Sequence, residues 1–274
     1  MQKFSYHTHT NFSDGRDTIE SMLSKASELG FEEIGITDHL VVHKNIKQSV
    51  SWGRMSSTYG HWIYKRDFSE AKDAFLKHID EIRKYAKNYS LKVYAAAEVD
   101  FFTYDGWQEE FADFRKNVDL DYYITGNHFL AHHNEQILDP REIDFLSEKE
   151  QCISIKKHFE TMKTAIGSKS FLFLAHLDYM RRIKFCSDNS FMTEKLDIIR
   201  ALKENNIPTE LSTKGLRKRG DFYPNNMLTD MIIENNIRLV ISDDAHRTSE
   251  LSLDFEKAEQ YLLEKNYFAR FCIS

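Results

Sequence analysis

The stretch Phe4-Ser5-Tyr6-His7-Thr8-His9 has the composition of a β-strand and ends in two histidines separated by one residue. Residues i and i+2 of a strand point to the same face, so both imidazoles can reach one metal ion. A His-x-His pair alone occurs more often by chance than as a pair of ligands. Its meaning therefore depends on whether the rest of the chain repeats the pattern.

The pattern of an apolar run that ends in His, Asp or Glu does recur along the chain. A glutamate in that position is costly to bury unless it is paired or bound to a cation. Any single example is usually a satisfied core or rim residue, whereas six together favour one shared site. The later runs end at Asp38 and His39, Glu98, His128, His176, and Asp244 with His246.

Short β-like runs alternate with helical patterns, and this alternation predicts a parallel sheet. The number of units predicts closure into an α/β barrel, as a single domain over residues 1–274. The C-terminal ends of the strands of such a barrel converge on one face, where active sites lie. The β-like runs lie near residues 3–8, 33–38, 92–98, 120–126, 170–175, 207–212, 238–243 and 267–273. Candidate helices lie near residues 18–29, 68–88, 107–117, 147–166, 192–205, 225–236 and 249–265.

Imidazoles and carboxylates without thiolates suit Zn, Mn or Fe rather than Ca, and this set could hold two or three divalent ions. Asp14 belongs to the set although it lies in the polar turn 11–15, where an ordinary turn aspartate is the alternative. The predicted ligands are His7, His9, Asp14, His39, Glu98, His128, His176, Asp244 and His246.

The composition is that of a globular protein, with 41% hydrophobic and 29% charged residues among 274. A formal net charge of −6 argues against a general nucleic-acid-binding surface. It does not exclude an anionic substrate, because a metal cluster can outweigh the global charge.

Three widely separated cysteines, Cys152, Cys186 and Cys272, predict free thiols in a reducing cytoplasm. No run is long and apolar enough for a signal peptide or a spanning helix, so we expect a soluble, unexported protein.

The polar and aromatic segment 40–66 is either a functional loop over the barrel mouth or a plain insertion packed outside. Asp17 or Thr18 is expected to cap the first helix, and Gly30 to end it. The remaining histidines are not expected to be ligands. His43 and His61 could touch substrate but are expected to be exposed in the loop, and His78 and His158 are expected on helix surfaces. His132 and His133 follow a strand closely, and a rim or substrate role is open to them but is not the expectation.

These residues resemble, in order and spacing, the motifs of the PHP (polymerase and histidinol phosphatase) superfamily, over almost the whole chain from His7 to His246. The resemblance implies a distorted (β/α)7 barrel, TIM-like, which would leave one of the eight β-like runs, the last for example, outside the barrel. Within the superfamily the chain looks most like the stand-alone histidinol-phosphate phosphatases. The stretches that carry this likeness are 121–130, 174–182 and 210–224, the last with Lys214-Gly215-Leu216-Arg217 and Tyr223-Pro224.

The chain departs from this pattern at three places. Gly126-Asn127 stands where members often have Ser-Val, and Lys214 stands where Ser is usual. Asp14 occupies a ligand position that is His in some relatives. The changes at Asn127 and Lys214 bear on the substrate more than on the metals.

The resemblance implies three ion positions, of which the first two share Glu98 as a bridge. The first would use His7, His9, Glu98 and Asp244, the second Glu98, His128 and His176, and the third Asp14, His39 and His246.

The chemistry expected of such a site is hydrolysis of a phosphate monoester, with a metal-bridging hydroxide attacking phosphorus in line. Asp17 and His246 are candidates for the acid that protonates the leaving alkoxide. Arg16, Lys214 and Arg217 are candidates for binding phosphate, although each could equally be a solvated surface cation. The carboxylates available to a substrate ammonium are Asp17, Asp100 and Glu210.

The substrate expected from the resemblance is a small phosphorylated metabolite, L-histidinol phosphate, in histidine biosynthesis. A nuclease or nucleotide phosphodiesterase and a protein-tyrosine phosphatase are the alternatives, since the superfamily includes related metal sites. A non-catalytic relic ranks last, because a scaffold has no chemical need for nine ligand positions.

Overall fold

A computed structural model describes residues 2–46, 64–131, 137–183, 186–268 and 273 of the chain. It contains parallel strands and flanking helices that alternate along most of the sequence. The strands are β1 (Phe4–Thr8), β2 (Glu33–Ile36), β3 (His39–Val42), β4 (Tyr64–Lys65), β5 (Lys92–Val99), β6 (Tyr122–Thr125), β7 (Leu130–Ala131), β8 (Ile137–Leu138), β9 (Thr209–Ser212) and β10 (Leu239–Ser242). The α-helices are α1 (Ile19–Glu28), α2 (Phe68–Ala86), α3 (Trp107–Asn117), α4 (Glu148–Gly167), α5 (Met192–Asn205), α6 (Lys214–Arg219), α7 (Asn226–Glu234) and α8 (Phe255–Glu264). Short 3-10 helices lie at Pro140–Phe145, Tyr179–Arg182 and Thr248–Glu250.

Seven parallel segments form a ring, and they are the first seven β-like runs predicted from the sequence. Strands β1, β2, β5 and β6 pair in that order, and β9 pairs with β10. Leu174 bridges Thr125 of β6 to Thr209 of β9, and Thr8 of β1 pairs with Ala245 just after β10. The predicted distorted (β/α)7 barrel is therefore confirmed, with distortion where single bridges replace longer ladders.

Additional short strands lie outside this ring. Strand β3 pairs with the end of β5 and with β4, while β7 and β8 form a separate antiparallel pair. Strands β3 and β4 lie at the two ends of the segment 40–66. Of the residues between them, 47–63 lie outside the described residues, and these include His61, which was expected to be exposed. Most of the eighth β-like run, with Cys272, and the pair His132 and His133 are also outside them.

Strand β1 contains an extra residue relative to its neighbour β2. Ser5 pairs with Ile34 and Thr8 pairs with Ile36, so three steps along β1 match two steps along β2. Such a β-bulge reverses which side chains face the barrel interior. Tyr6 belongs to the apolar cluster inside the ring, and the next residue, His7, also faces inward at the mouth.

The helices enclose the ring and bury a larger apolar core between themselves and the strands. Thr18, rather than Asp17, caps α1, since its side chain accepts a hydrogen bond from the amide of Ser21. Gly30, at φ +70°, follows the end of this helix as expected. Among the described cysteines, Cys152 and Cys186 are free thiols. No described helix combines the length and the apolar character that crossing a lipid bilayer requires.

Three histidines expected on the surface are buried, so that prediction was wrong for them. His43 packs against the rings of Phe102 and Tyr104. His78, on α2, contacts Asp38 at 2.9 Å, and burial lowers the pKa of His158, on α4, to about 4. A polar side chain on a helix predicts exposure only where no buried partner faces it.

Candidate metal centre

Glu98, near the end of β5, lies at the centre of a group of imidazoles. Its Oε2 is 3.2 Å from His7 Nε2, 3.4 Å from His9 Nε2 and 3.1 Å from His39 Nδ1. Its Oε1 is 2.8 Å from His176 Nε2 and 3.7 Å from His128 Nε2. These histidines come from four different parts of the ring, which places the ends of distant strands within one small volume.

Two further carboxylates extend the group toward the rim. Asp244 Oδ1 is 3.2 Å from His9 Nε2. Asp14 Oδ1 is 3.2 Å from His39 Nε2 and 3.1 Å from His246 Nε2. All nine predicted ligands therefore lie together at the C-terminal ends of the strands.

Several atoms in the middle of this group are buried and make no hydrogen bond within the described residues. Burial of such an atom without a partner costs about 1–3 kcal/mol, and more for a charged group. Five such atoms, imidazole nitrogens and carboxylate oxygens that can all act as acceptors, face one another here and would be satisfied by a cation between them. They are His7 Nε2, His9 Nε2, Asp14 Oδ1, Glu98 Oε2 and Asp244 Oδ1.

The spacing of the donor atoms fits divalent ions at more than one position. Within each of four overlapping groups, the candidate ligand atoms lie no more than 4.8 Å from one another. Imidazole and carboxylate donors suit zinc and similar transition metals. The groups are His9-Asp14-His39-His246, His7-His9-Glu98, His7-His176-Asp244 and His39-Glu98-His128.

The pKa shifts in the group favour ionised carboxylates. Burial alone would raise the pKa of Glu98, but His7 and His128 outweigh it and hold that pKa well below its usual range. Burial, together with the neighbouring His246 and His39, lowers the pKa of His9 to about 3.

Burial alone would lower the pKa of His7 and of His39 as well. Glu210 outweighs burial at His7 and raises its pKa well above 6.5, and Asp14 likewise raises the pKa of His39 to about 9. Metal binding at these imidazoles would therefore release protons.

Two buried carboxylates contact imidazoles of the cluster at Nδ1, the nitrogen that faces away from Glu98. Glu210 Oε1 lies 2.7 Å from His7 Nδ1, and its Oε2 accepts the backbone N–H of His176 at 2.9 Å. Asp100 Oδ2 lies 3.0 Å from His128 Nδ1. A carboxylate on one imidazole nitrogen fixes the tautomer, so that the other nitrogen can bind metal. Both residues were considered as substrate partners from sequence, but their carboxylates already bond to the histidines.

Gly126 explains one of the departures from the family pattern. A Cβ added at this position would lie 2.1 Å from Glu98 Oε1 and 2.4 Å from His176 Cε1. Such contacts are far too short for a real side chain. The absence of a side chain at Gly126 allows Glu98 and His176 to approach each other.

The cations expected to bind phosphate differ in how close they come to the cluster. Lys214 Nζ is 2.8 Å from Asp244 Oδ2, and Asp244 and Asp14 outweigh burial to raise the pKa of this lysine. Arg217 donates from Nη2 to the carbonyl of Asp243 at 2.9 Å, while its buried Nη1 makes no hydrogen bond within the described residues. Arg16 is exposed, and its amide donates to the carbonyl of His246.

The two candidates for the catalytic acid also occupy different environments. His246 lies in the cluster, between Asp14 and Asp244. Asp17 is half-buried, and its Oδ2 accepts the N–H of Thr248 at 2.6 Å. Asp17 therefore connects the start of helix α1 to the segment that follows His246.

The contacts by which Glu210, Asp100, Asp38 and His78 support the cluster were not predicted from the sequence. Glu210 did give a signal, because it is an acidic residue in the middle of a β-like run, where a buried carboxylate needs a partner. His78 gave none, since its partner Asp38 lies 40 residues earlier in the chain.

Comparisons with known proteins place the chain in a family. The family model of the PHP domain matches residues 5–214. A comparison with curated protein sequences finds no match.

Solved structures share the fold at low sequence identity. One is a protein from Listeria monocytogenes with the provisional name histidinol phosphatase HisK, with a TM-score of 0.70 and 22% identity over 93% of this chain and 99% of that one. Another is the histidinol phosphate phosphatase HISK of Lactococcus lactis subsp. lactis, complexed with Zn, L-histidinol and phosphate. Its TM-score is 0.66, with 17% identity over 97% of this chain and 95% of that one. The match to the domain model covers more than half of the chain, and the chain therefore belongs to the PHP domain family.

Proposed function

We propose that this protein is a metal-dependent phosphomonoesterase that hydrolyses L-histidinol phosphate to L-histidinol and phosphate. The observation that carries the proposal is the set of five buried imidazole and carboxylate atoms, Glu98 Oε2 among them, that make no hydrogen bond in the described part of the chain. The Lactococcus relative, which has the same fold, holds Zn, L-histidinol and phosphate. A small phosphorylated metabolite is the substrate class that fits both.

The described residues offer positions for two or three divalent ions. His7, His9, Glu98 and Asp244 would hold one ion, and Glu98 would share a second with His128 and His176. Asp14, His39 and His246 would hold a third, and His9 also lies in this last group. When bound, such ions would lower the pKa of water toward neutrality and neutralise charge on the phosphoryl oxygens.

Lys214 and Arg217 are proposed to bind the phosphate. The ammonium of Lys214 lies beside Asp244 at the edge of the cluster, and three N–H groups allow it to contact a phosphate oxygen as well. The buried Nη1 of Arg217 is a donor that makes no hydrogen bond within the described residues. Arg16, which is exposed, would contribute long-range attraction rather than a fixed contact.

Asp17 is the carboxylate that can serve the rest of the substrate. Of the three expected partners for an ammonium, Glu210 and Asp100 are buried and bonded to His7 and His128. Asp17 is half-buried, and its Oδ2 bonds to the amide of Thr248 rather than to a histidine of the cluster. It either binds the substrate ammonium or protonates the leaving oxygen, with His246 as the alternative acid.

Kinetics of Asp17→Asn separate these roles. If Asp17 binds the ammonium, KM rises and kcat changes little. If it donates the proton, kcat falls and the alkaline limb of the pH profile flattens. If neither parameter changes, Asp17 has only its structural bond to Thr248, and the acid is His246.

The substrate is tested by giving purified, Zn- or Mn-loaded protein three phosphate esters: histidinol phosphate, a phosphotyrosine peptide and a short oligonucleotide. We expect the largest kcat/KM with histidinol phosphate. Preference for the peptide or the oligonucleotide would replace this proposal with one of the two alternatives. His9→Ala is the control, because it removes a ligand shared by two groups and should abolish turnover while the fold persists.

A further inference from the structure

Asp38 is a buried carboxylate that does not point at the metal cluster. Its Oδ1 accepts the backbone N–H of Thr10 at 2.8 Å, and its Oδ2 accepts the Thr10 hydroxyl at 2.6 Å. The hydroxyl of Ser13 makes a further hydrogen bond to Oδ1. His78 Nε2, from helix α2, lies 2.9 Å from Oδ2. Four donors therefore converge on one carboxylate with no solvent exposure.

Most of these donors belong to a single tight turn. The amides of Ser13 and Gly15 both donate to the carbonyl of Thr10 at 3.0 Å, which closes the turn on itself. Asp14, the carboxylate that faces His39 and His246, is carried on this turn. The position of Asp14 is consequently fixed by the bonds that Asp38 makes to its neighbours.

The same carboxylate also reaches a metal-facing imidazole through one hydroxyl. Ser13 Oγ lies 3.5 Å from His9 Nδ1, on the opposite side of the ring from the nitrogen that faces Glu98 and Asp244. Asp38 therefore supports His9 through the hydroxyl of Ser13, whereas Glu210 supports His7 by direct contact.

His78 connects this arrangement to helix α2. Its ring stacks on Phe12 at 3.8 Å between centroids and 5° between planes, so it also covers the turn from outside. Its Nδ1 is buried without a hydrogen bond in the described part of the chain. Nε2 is therefore the ring nitrogen that can donate to Asp38.

We propose that Asp38 and His78 are positioning residues for the third ion, because they hold the turn that presents Asp14 and orient His9. The proposal rests on the metal cluster of the proposed function but not on its substrate. Removal of the His78 donor leaves Asp38 one partner short and frees the turn. The third position then loses its carboxylate while the positions around Glu98 keep theirs.

The test compares His78→Leu with His78→Gln. Leucine removes the donor, whereas the amide nitrogen of glutamine can occupy the place of Nε2 and donate to Asp38. Bound metal is measured by elemental analysis and by titration of the apoprotein with Mn or Zn, without substrate. We expect His78→Leu to lose one ion per chain, or about 10–100-fold in affinity for it, and His78→Gln to retain it.

A matched control separates positioning from general loss of stability. Ile82 is buried on the same helix, and its aliphatic side chain has no group that could hydrogen-bond to Asp38 or to the turn. Ile82→Ala should lower Tm at least as much as His78→Leu yet keep full metal stoichiometry. If Ile82→Ala also loses one ion, or if His78→Leu folds and binds three ions with wild-type affinity, the inference is wrong. Equal losses in His78→Leu and His78→Gln would likewise contradict a role for the hydrogen bond.

The outcome is independent of the substrate assignment. Protein that binds three ions, loses one in His78→Leu and does not hydrolyse histidinol phosphate supports the inference and rejects the proposed substrate. Wild-type protein that binds no metal rejects both.

Discussion

The two ends of the barrel interior each hold a glutamate, but the two carboxylates are satisfied in different ways. At the N-terminal ends of the strands, Tyr6 and Tyr94 each donate to one oxygen of Glu33, at 2.7 and 2.9 Å. Tyr122 donates to the carbonyl of Tyr6 at 2.8 Å. At the C-terminal ends, Glu98 faces a ring of imidazoles and its Oε2 makes no hydrogen bond within the described residues.

This difference indicates which end is structural and which binds ligands. The tyrosine layer uses its phenols as donors to a carboxylate and an amide carbonyl, so it contributes to stability without any added group. The mouth places acceptors next to acceptors and would be costly to bury unless cations or protons lie between them. A glutamate at each end of the barrel allows the contrast to be tested directly.

The largest expected effect comes from Glu98→Gln. An amide cannot replace a shared anionic ligand, so bound metal should fall by at least one ion per chain. We expect turnover to drop about 10³-fold or more, which corresponds to about 4 kcal/mol in the barrier. Thermal unfolding of the metal-free variant should be no easier than that of the metal-free wild type.

Glu33→Gln is the matched control for this prediction. It should lower Tm, because the two tyrosine hydroxyls lose a charged acceptor, while metal content and kcat stay within about twofold. If Glu33→Gln instead loses metal, the two ends of the barrel are not separate in function.

Removal of metal should produce the next largest effect. Ligands that bind only the folded state at about 1,000 times their Kd stabilise it by about 4 kcal/mol. A chelator should therefore lower Tm by about 10 °C in a chain of this size. Differential scanning calorimetry with and without EDTA measures the shift, and re-addition of Zn should restore it. An unchanged Tm would mean that the imidazoles and carboxylates are satisfied without cations.

Glu210→Gln should give a smaller effect at the mouth. His7 would keep a hydrogen-bond partner but lose the negative charge behind it. The expected result is a loss of about 10–100-fold in metal affinity, or about 1.4–2.8 kcal/mol, with all ions still bound at saturating metal. Zinc competition titrations against a chromogenic chelator provide the measurement. Complete loss of an ion at saturation would show that Glu210 is itself a ligand.

The smallest predicted effect concerns the tyrosine layer at alkaline pH. Burial, reinforced by Tyr6 and Tyr94, raises the pKa of Tyr122 well above 10 in the folded protein. In the unfolded chain this phenol ionises near pH 10, so above that pH the unfolded state binds fewer protons than the folded one and stability falls.

Tyr122→Phe removes this contribution. The variant should be less stable by about 1 kcal/mol at pH 7, where a hydrogen bond is lost. Between pH 10 and 11 the wild type should lose up to about 1.4 kcal/mol more than the variant. Urea unfolding at several pH values measures both, and parallel pH curves would contradict a protonated Tyr122 in the folded state.

The ring, and the meeting of the candidate ligands at one end of it, could be predicted from sequence because both follow from local patterns. Each of the seven β-like runs is a strand or bridging segment of the ring, and each predicted ligand ends such a run or lies close after one. The supporting contacts could not be predicted in the same way. Asp38 and His78 are brought together by the packing of a helix on the sheet, and the alternation of polar and apolar residues carries no information about that distance.

The bulge in β1 also escaped prediction, for a related reason. A register shift is a property of a strand together with its neighbour, and the residues from Phe4 to His9 do not reveal how β2 will align with them. His7 and His9 face the same carboxylate, as the spacing of a strand predicts, whereas nothing in the sequence indicates that Tyr6 shares the interior with them.

The extra residue in β1 makes the length of this strand as important as its composition. Deletion of one residue between Ser5 and Thr8 would restore regular pairing with β2 and rotate either the phenol of Tyr6 or the two imidazoles toward the helices. A substitution in β1 changes one side chain, whereas a one-residue deletion would displace either the tyrosine layer or the two histidines as a set. Sequence alignments of related chains should therefore be free of gaps across this strand wherever both layers are retained.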